Sequence, residues 1–306
     1  MPTSCRVGSW KGCPLKLCCW LTRCCLGLAL CALQSAAVSR AAADDAKAAL
    51  LETFVKELVE ITPGEGKFPQ TFQMGSEQGE QHEQPVHEVR LKKPFSIAKN
   101  EVPQNLYEAV MGVNPSKWKG KRNSVEMMTY ADAVKFCETL TTLLRDQKLI
   151  AADEMIRLPT EAEWEYCCRA GTTTEYSFGD TATLKDDKGN QASVLDAYGW
   201  HTGNAAGNDP PVGAKKPNAW GLYDMHGYLS EFTADHWSPD YEHASTDGIA
   251  QRIEKDDKSP AQVVIRSGSW KTRFPALRSA ARAPFPQDQG DDAVGFRCVK
   301  SENPEK

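Results

Sequence analysis

The stretch from Asn218 to Phe232, NAWGLYDMHGYLSEF, restricts the fold more than any other part of the chain. It mixes apolar side chains with Gly221 and Gly227 and with two carboxylates, Asp224 and Glu231. A regular helix is a poor home for it, because an interior glycine costs about 1 kcal/mol against alanine. A tight, turning path suits it better, since Gly227 can adopt backbone conformations that other residues resist. On such a path the two carboxylates and the intervening carbonyls can face one point. Calcium takes about 6 to 8 oxygen ligands of those two kinds. Spacing alone describes a buried turn with two solvated acids more readily than it describes a metal site.

The N-terminus follows a different logic. Arg6, Lys11, Lys16 and Arg23 precede an apolar run from Cys24 to Leu33, and small residues continue to Ala43. This is the layout of a secretory signal over residues 1–43, and the run is too short to span a bilayer. Cleavage after Ala43, with Gln34-Ser35-Ala36 as the alternative site, predicts a mature chain of residues 44–306 in the periplasm or outside the cell. A lipoprotein signal ending at Cys31 is the rival, against which Leu30 is bulky. The signal carries five basic residues and no acidic ones, which leaves 31 basic against 41 acidic residues. Such a balance argues against nucleic acid and anionic membrane surfaces as partners. Cys137, Cys167, Cys168 and Cys298 remain, in a compartment where disulfides persist.

Local signals predict the elements. Leu50, Leu51, Phe54, Val55 and Leu58 recur at helical spacing over 44–61, and Pro63-Gly64 ends that run. Pro85 to Leu91 alternates like a half-buried strand, and Val263 to Arg266 reads as another. Thr129 caps a predicted helix from Tyr130 to about Arg145. Thr160 and Glu163 form a capping box for the next helix, which Gly171 stops. Glu161, Glu163 and Glu165 could suggest acid–base chemistry, but first-turn acids complement the helix dipole, so their reading is structural. Residues 172–217 are loop-rich, and 238–262 read as a surface loop. The six histidines show no HExxH spacing, and no nucleotide-binding glycine pattern or Ser-His-Asp set is evident.

PNAWGLYDMHG, from Pro217 to Gly227, resembles the signature of the formylglycine-generating enzyme family, the sulfatase-modifying factors. That family reads PN-x-x-GLYDM-x-GNVWEW; Gly227 and Glu231 keep their places, while Tyr228, Ser230 and Phe232 replace its asparagine and two tryptophans. The resemblance, nearest to the family's bacterial branch, continues in order. It takes in Phe72-Gln73-Met74-Gly75-Ser76, Glu101-Val102-Pro103, Asn114-Pro115-Ser116, Arg157-Leu158-Pro159-Thr160-Glu161 and Tyr176-Ser177-Phe178-Gly179-Asp180. It closes with Gly268-Ser269-Trp270 and Gly295-Phe296-Arg297-Cys298, so that it covers about residues 55–300. It implies one α+β domain related to C-type lectins, with short strands, few helices and much ordered loop.

The resemblance also implies site residues. A structural calcium would be held by the side chains of Asp224 and Glu231 and the carbonyls of Gly227 and Leu229. Cys137 and Cys298 would form a disulfide, leaving Cys167 and Cys168 as buried thiols or a strained local pair. Ser269, Trp270, Arg278 and Arg282 would line a substrate groove, and His226 would be structural or stand at its wall. Family oxidases bind Cu(I) through two thiolates placed after the Gly-Ser-Trp motif, as a soft metal requires. Those positions hold Thr272 and Leu277, and the only cysteine between Trp270 and Val299 is Cys298. The expectation is therefore an exported, calcium-stabilised protein that binds a peptide, a sulfatase or a glycan without copper. The alternative is an oxidase that converts a sulfatase cysteine to formylglycine.

Overall fold

The computed structural model describes residues 41–206, 209–252 and 261–303. The signal segment expected over 1–43 lies outside the described residues up to position 40. Residues 41–56 are helical (α1), and the compact unit begins at Ala49 with Leu51 and Phe54 buried. The helix expected to run to 61 stops short of that. Leu58–Ile61 is instead strand β1, because its backbone pairs antiparallel with the distant β4, Phe95–Ala98. No local spacing rule can see such a partner.

The order then runs β2 (Thr71–Met74), β3 (His87–Arg90), β4, α2 (Gln104–Met111) and α3 (Tyr130–Asp146). Next come β5 (Glu154–Arg157), α4 (Glu161–Arg169), β6 (Ser230–His236) and β7 (Gln262–Arg266). The chain closes with β8 (Ala283–Pro286), β9 (Val294–Gly295) and β10 (Val299–Glu302). One sheet has the order β1-β4-β10-β5 and is antiparallel throughout. A second, β8-β7-β6-β9, is mixed, with β6 and β9 parallel. β2 and β3 form a separate pair, whose register sets Phe72 against Val89. This is an α+β architecture, with long loops among the described residues between 170 and 230.

Both longer interior helices are set by their caps. Thr129 and Asp132 make a reciprocal capping box on α3, and Thr160 and Glu163 make one on α4. α3 buries Ala133, Phe136, Cys137, Leu140 and Leu144, the stripe that a 3.6-residue period requires. Phe136 stacks on Tyr107 of α2 at 5.2 Å, a contact worth about 0.5–1.5 kcal/mol beyond its area. This core also takes in Ile156, Phe232 and Phe296. A second core gathers Ile61, Ile97, Trp164, Trp220, Leu222 and Met225. It fixes α4 against the 218–225 stretch, and the candidate site is built at that junction.

Candidate functional site

Residues 224–231 turn sharply ahead of β6. Asp224 has φ of 58° and Gly227 has φ of 111°. A Cβ on Gly227 would sit 2.4 Å from the Trp200 carbonyl oxygen, so this position requires glycine. The turn delivers Glu231 to the start of β6, where it is wholly buried. Arg297 grips it, with Nε donating to Oε2 at 2.6 Å and Nη2 donating to Oε1 at 2.7 Å. Trp164 Nε1 donates to Oε2 as well, at 2.8 Å.

Two further carboxylates share this space. Asp224 Oδ2 accepts from the Gly213 N–H at 2.8 Å, while its Oδ1 is buried with no hydrogen-bond partner. Glu101 Oε1 accepts from the Leu229 N–H at 3.0 Å, and Oε2 accepts from the Ser124 hydroxyl. Three buried acids thus share Arg297. Burial pushes the Glu101 carboxyl well above its ordinary range, and the charges of Glu231 and Asp224 add to the shift. Burial also pushes Asp224 up to about 6. Asn100 Oδ1, beside Gly213, is another buried acceptor without a donor. Each such orphan costs about 1–3 kcal/mol unless something satisfies it.

This arrangement is short of positive charge and fits a hard cation. Among the described residues, no three His, Cys, Asp or Glu side chains are grouped to hold a metal by themselves. A cation here would draw on the two expected carboxylates, Asp224 and Glu231, together with carbonyl oxygens, and Arg297 and Trp164 already hold Glu231. The Gly227 carbonyl already accepts from Trp200 N–H at 3.1 Å, which leaves one lone pair.

Next to the start of β6, a cavity of about 390 Å3 is lined by Ser230, Gly268, Thr272, Ala276, Arg278 and Arg282, among others. Its two arginines are committed elsewhere. Arg278 makes a bidentate pair with the buried Glu83, both contacts at 2.7 Å. Arg282 Nε and Nη2 reach Glu161 at 2.6 and 2.9 Å, and Nη1 donates to the His82 and Ser238 carbonyls. Its guanidinium also lies 4.4 Å from the centroids of Trp237 and Tyr241. Arg266 bridges Glu161 and Glu165 at 2.8 and 2.6 Å, and Arg169 Nε reaches Glu165 at 2.8 Å. Burial opposes ionisation of both glutamates. Arg282 and Arg266 outweigh it for Glu161, and Arg169 and Arg266 outweigh it for Glu165, so both stay below the usual carboxylate range.

The profile of the sulfatase-modifying factor enzyme 1-like domain (FGE-sulfatase) matches residues 51–302. The chain belongs to this family. A formylglycine-generating enzyme of Mycobacterium tuberculosis is 33% identical over 157 residues, 47% of this chain and 50% of that protein. The match thus spans about half the length of that relative. Chaperone protein LppX of Paenibacillus barcinonensis is 26% identical over 215 residues, covering 60% of this chain and 75% of its own. Among solved structures, PvdO from Pseudomonas aeruginosa superposes with a TM-score of 0.61 at 28% identity. That likeness covers 76% of this chain and 91% of PvdO.

Within this sulfatase-modifying-factor scaffold, the expected residues separate. Asp224, Gly227, Leu229 and Glu231 share one turn, and Asp224 and Glu231 act on each other electrostatically. Glu101 was missed as a member of that cluster; its place in the Glu101-Val102-Pro103 motif was the only signal. The groove expectation needs correction. Ser269 is buried in a tight turn, its N–H donating to Thr272 Oγ1 at 2.9 Å, and Trp270 lines a different cavity. Arg278 and Arg282 do line the first cavity, but their donors are taken by Glu83 and Glu161, so they hold elements together. Leu277 is fully enclosed beside Tyr176, Ala182, Ala192 and Leu195.

The thiols are no more available. Cys137 and Cys298, the pair expected to form a disulfide, are brought together in the core with sulfurs 3.9 Å apart. Cys168 lies 3.8 Å from His226 Nε2, the spacing of a loose Cys–His pair. Yet burial pushes its thiol up to about 12 and pushes His226 down to about 4, so neither is charged. The Ser177 N–H donates to His226 Nε2 at 3.1 Å, which places the ring proton on Nδ1, facing the Leu277 carbonyl at 2.9 Å. His226 is a structural residue that pins the 277 segment.

Proposed function

We propose that this family member is an exported binding protein, stabilised by calcium, that recognises a peptide, a sulfatase or a glycan without copper oxidase chemistry. One observation carries the reading. Where the family's oxidases place two thiolates, Thr272 offers a neutral hydroxyl engaged with Ser269, and Leu277 is enclosed in an apolar cluster. A hydroxyl and an alkyl group do not fit Cu(I), which needs soft ligands. The buried thiols of Cys167 and Cys168 are no substitute, since burial raises both and suppresses the thiolate. The name of the Paenibacillus relative, a chaperone protein, supports a role in binding. Calcium would be held by the side chains of Asp224 and Glu231 and the carbonyls of Gly227 and Leu229, supplying the positive charge that Glu101, Asp224 and Glu231 lack. The basic and apolar layout of residues 1–43 supports export.

The mycobacterial relative's name favours the oxidase alternative, and one experiment separates the two. The chain from residue 44 onward is incubated with a sulfatase-type cysteine peptide, oxygen and Cu(I), and the peptide mass is followed. The expected outcome is no conversion of the cysteine to formylglycine. Copper-dependent aldehyde formation that persists in Cys167→Ala and Cys168→Ala would overturn the reading.

A further inference from the structure

Trp118, Tyr228 and Trp270 wall a second cavity, of about 360 Å3, together with Glu126, Leu229 and Asp292. Distant parts of the chain build it. The Trp270 N–H donates to the Tyr228 carbonyl at 2.9 Å, which sets these two aromatics side by side. Trp270 Nε1 donates to the Asp292 carbonyl at 3.1 Å, and the Tyr228 hydroxyl is held by Pro210 O at 2.7 Å and Asp209 Oδ1 at 3.1 Å. Both side chains are anchored by their polar ends, so their rings are available as walls. Trp118 is 48% exposed and opens the cavity to solvent.

Glu126 makes this more than an apolar dent. It is only 3% exposed. Its Oε1 accepts from the Trp118 N–H at 2.9 Å, while Oε2 is buried and has no hydrogen-bond partner. The neighbouring lysines are engaged with other acids. Lys117 pairs with Asp292 Oδ2 at 2.9 Å, and Lys271 bridges Asp291 at 3.1 Å and Asp292. These ammonium groups also stand 4.8 Å from the Trp118 ring and 5.2 Å from the Trp270 ring, so both indoles already act as cation acceptors. Burial pushes the Glu126 carboxyl up against the opposing backbone N–H groups of Trp118 and Lys117, and the charges of Asp292 and Asp209 add to the rise.

We propose that this cavity binds an organic ammonium ion, with Trp118, Tyr228 and Trp270 as aromatic walls and Glu126 as its counter-ion. A bare metal ion suits the walls poorly, since hard cations require a shell of oxygens. A methylated or primary amine satisfies both features, offering its charge to Glu126 Oε2 and its apolar surface to the rings. The proposal goes beyond the binding-protein reading and stands even if the chain proves to be an oxidase.

Choline chloride, titrated calorimetrically against the chain from residue 44, is the probe. Its neutral isostere 3,3-dimethylbutan-1-ol is the control. Choline should bind saturably and at least about tenfold more tightly than the isostere. Glu126→Gln keeps an acceptor for the Trp118 N–H and should cost choline about tenfold or more while leaving the isostere unchanged. Trp118→Leu, at a half-exposed position that does not threaten folding, should weaken choline several-fold. Equal affinity for choline and the isostere, or choline binding indifferent to both substitutions, would overturn the proposal. So would the absence of saturable binding for choline, tetramethylammonium and ethylammonium alike.

Discussion

Two clusters of buried charge meet α4 and β6, and they are composed differently. In the first, Glu161 and Glu165 of α4 meet Arg169, Arg266 and Arg282, and their carboxyls stay below the ordinary range despite burial. In the second, Glu101, Asp224 and Glu231 share Arg297, and the carboxyls of Glu101 and Asp224 are pushed up. Burial is complete or nearly so in both, so desolvation does not distinguish them. The supply of cations does. A cluster with enough guanidinium is a finished piece of structure, whereas one that lacks positive charge is poised to take up either protons or a metal ion.

The largest effect should come from unbalancing the first cluster. Arg266→Met leaves Glu161 and Glu165 buried with one cation fewer, and removing one partner of a buried pair costs about 3–5 kcal/mol. Urea unfolding should show that loss. Glu101→Gln, measured with chelator, should cost less than about 1 kcal/mol, because Glu101 already favours its neutral form. The contrast between the clusters breaks if the two substitutions cost the same.

Calcium tests the second cluster from the opposite direction. An ion that binds only the folded chain stabilises it by about 2.7 kcal/mol at a hundred times its dissociation constant. The unfolding midpoint should rise with calcium, fall with chelator, and lose this dependence in Asp224→Ala. A melt indifferent to both additions would show that the excess acid is neutralised by protons alone.

How far these clusters were legible in the sequence depended on distance along the chain. The capping box of Thr160 and Glu163 is local and could be read from spacing. Spacing favoured two solvated acids at Asp224 and Glu231, whereas both are buried, and only the resemblance joined them. Glu161 was rightly taken as structural, but for an incomplete reason. The helix dipole needs no partner, whereas the structure adds Arg282, 121 positions away. For the same reason Arg278 and Arg282 looked like free groove residues and Leu58–Ile61 looked helical. In each case the deciding contact is made by a side chain or strand whose position in sequence carries no local signature. Glu101 stood in a recognisable motif, yet only the fold brings it to Arg297.

Asp235 supplies the finest test, because it is a buried acid beside the first cluster that is held by backbone N–H groups. It sits on β6, where Oδ2 accepts from the Glu161 N–H and Oδ1 from the Gln251 N–H, both at 2.7 Å. Burial and the Glu161 charge nevertheless push it up to about 7. Its folded value thus lies above the unfolded one, near 3.9. The folded chain therefore holds a proton that the unfolded chain releases, and stability falls as pH rises between those values. Above about 7 the cost of the buried charge is complete. Between pH 6 and 8 this residue should remove about 1.4 kcal/mol. Asp224 titrates over the same range in both chains, so Asp235→Asn should flatten the pH slope relative to the parent by that amount, whatever it does to absolute stability. An unchanged slope would mean that the neighbouring arginines serve Asp235 as well, and the first cluster would have positive charge to spare.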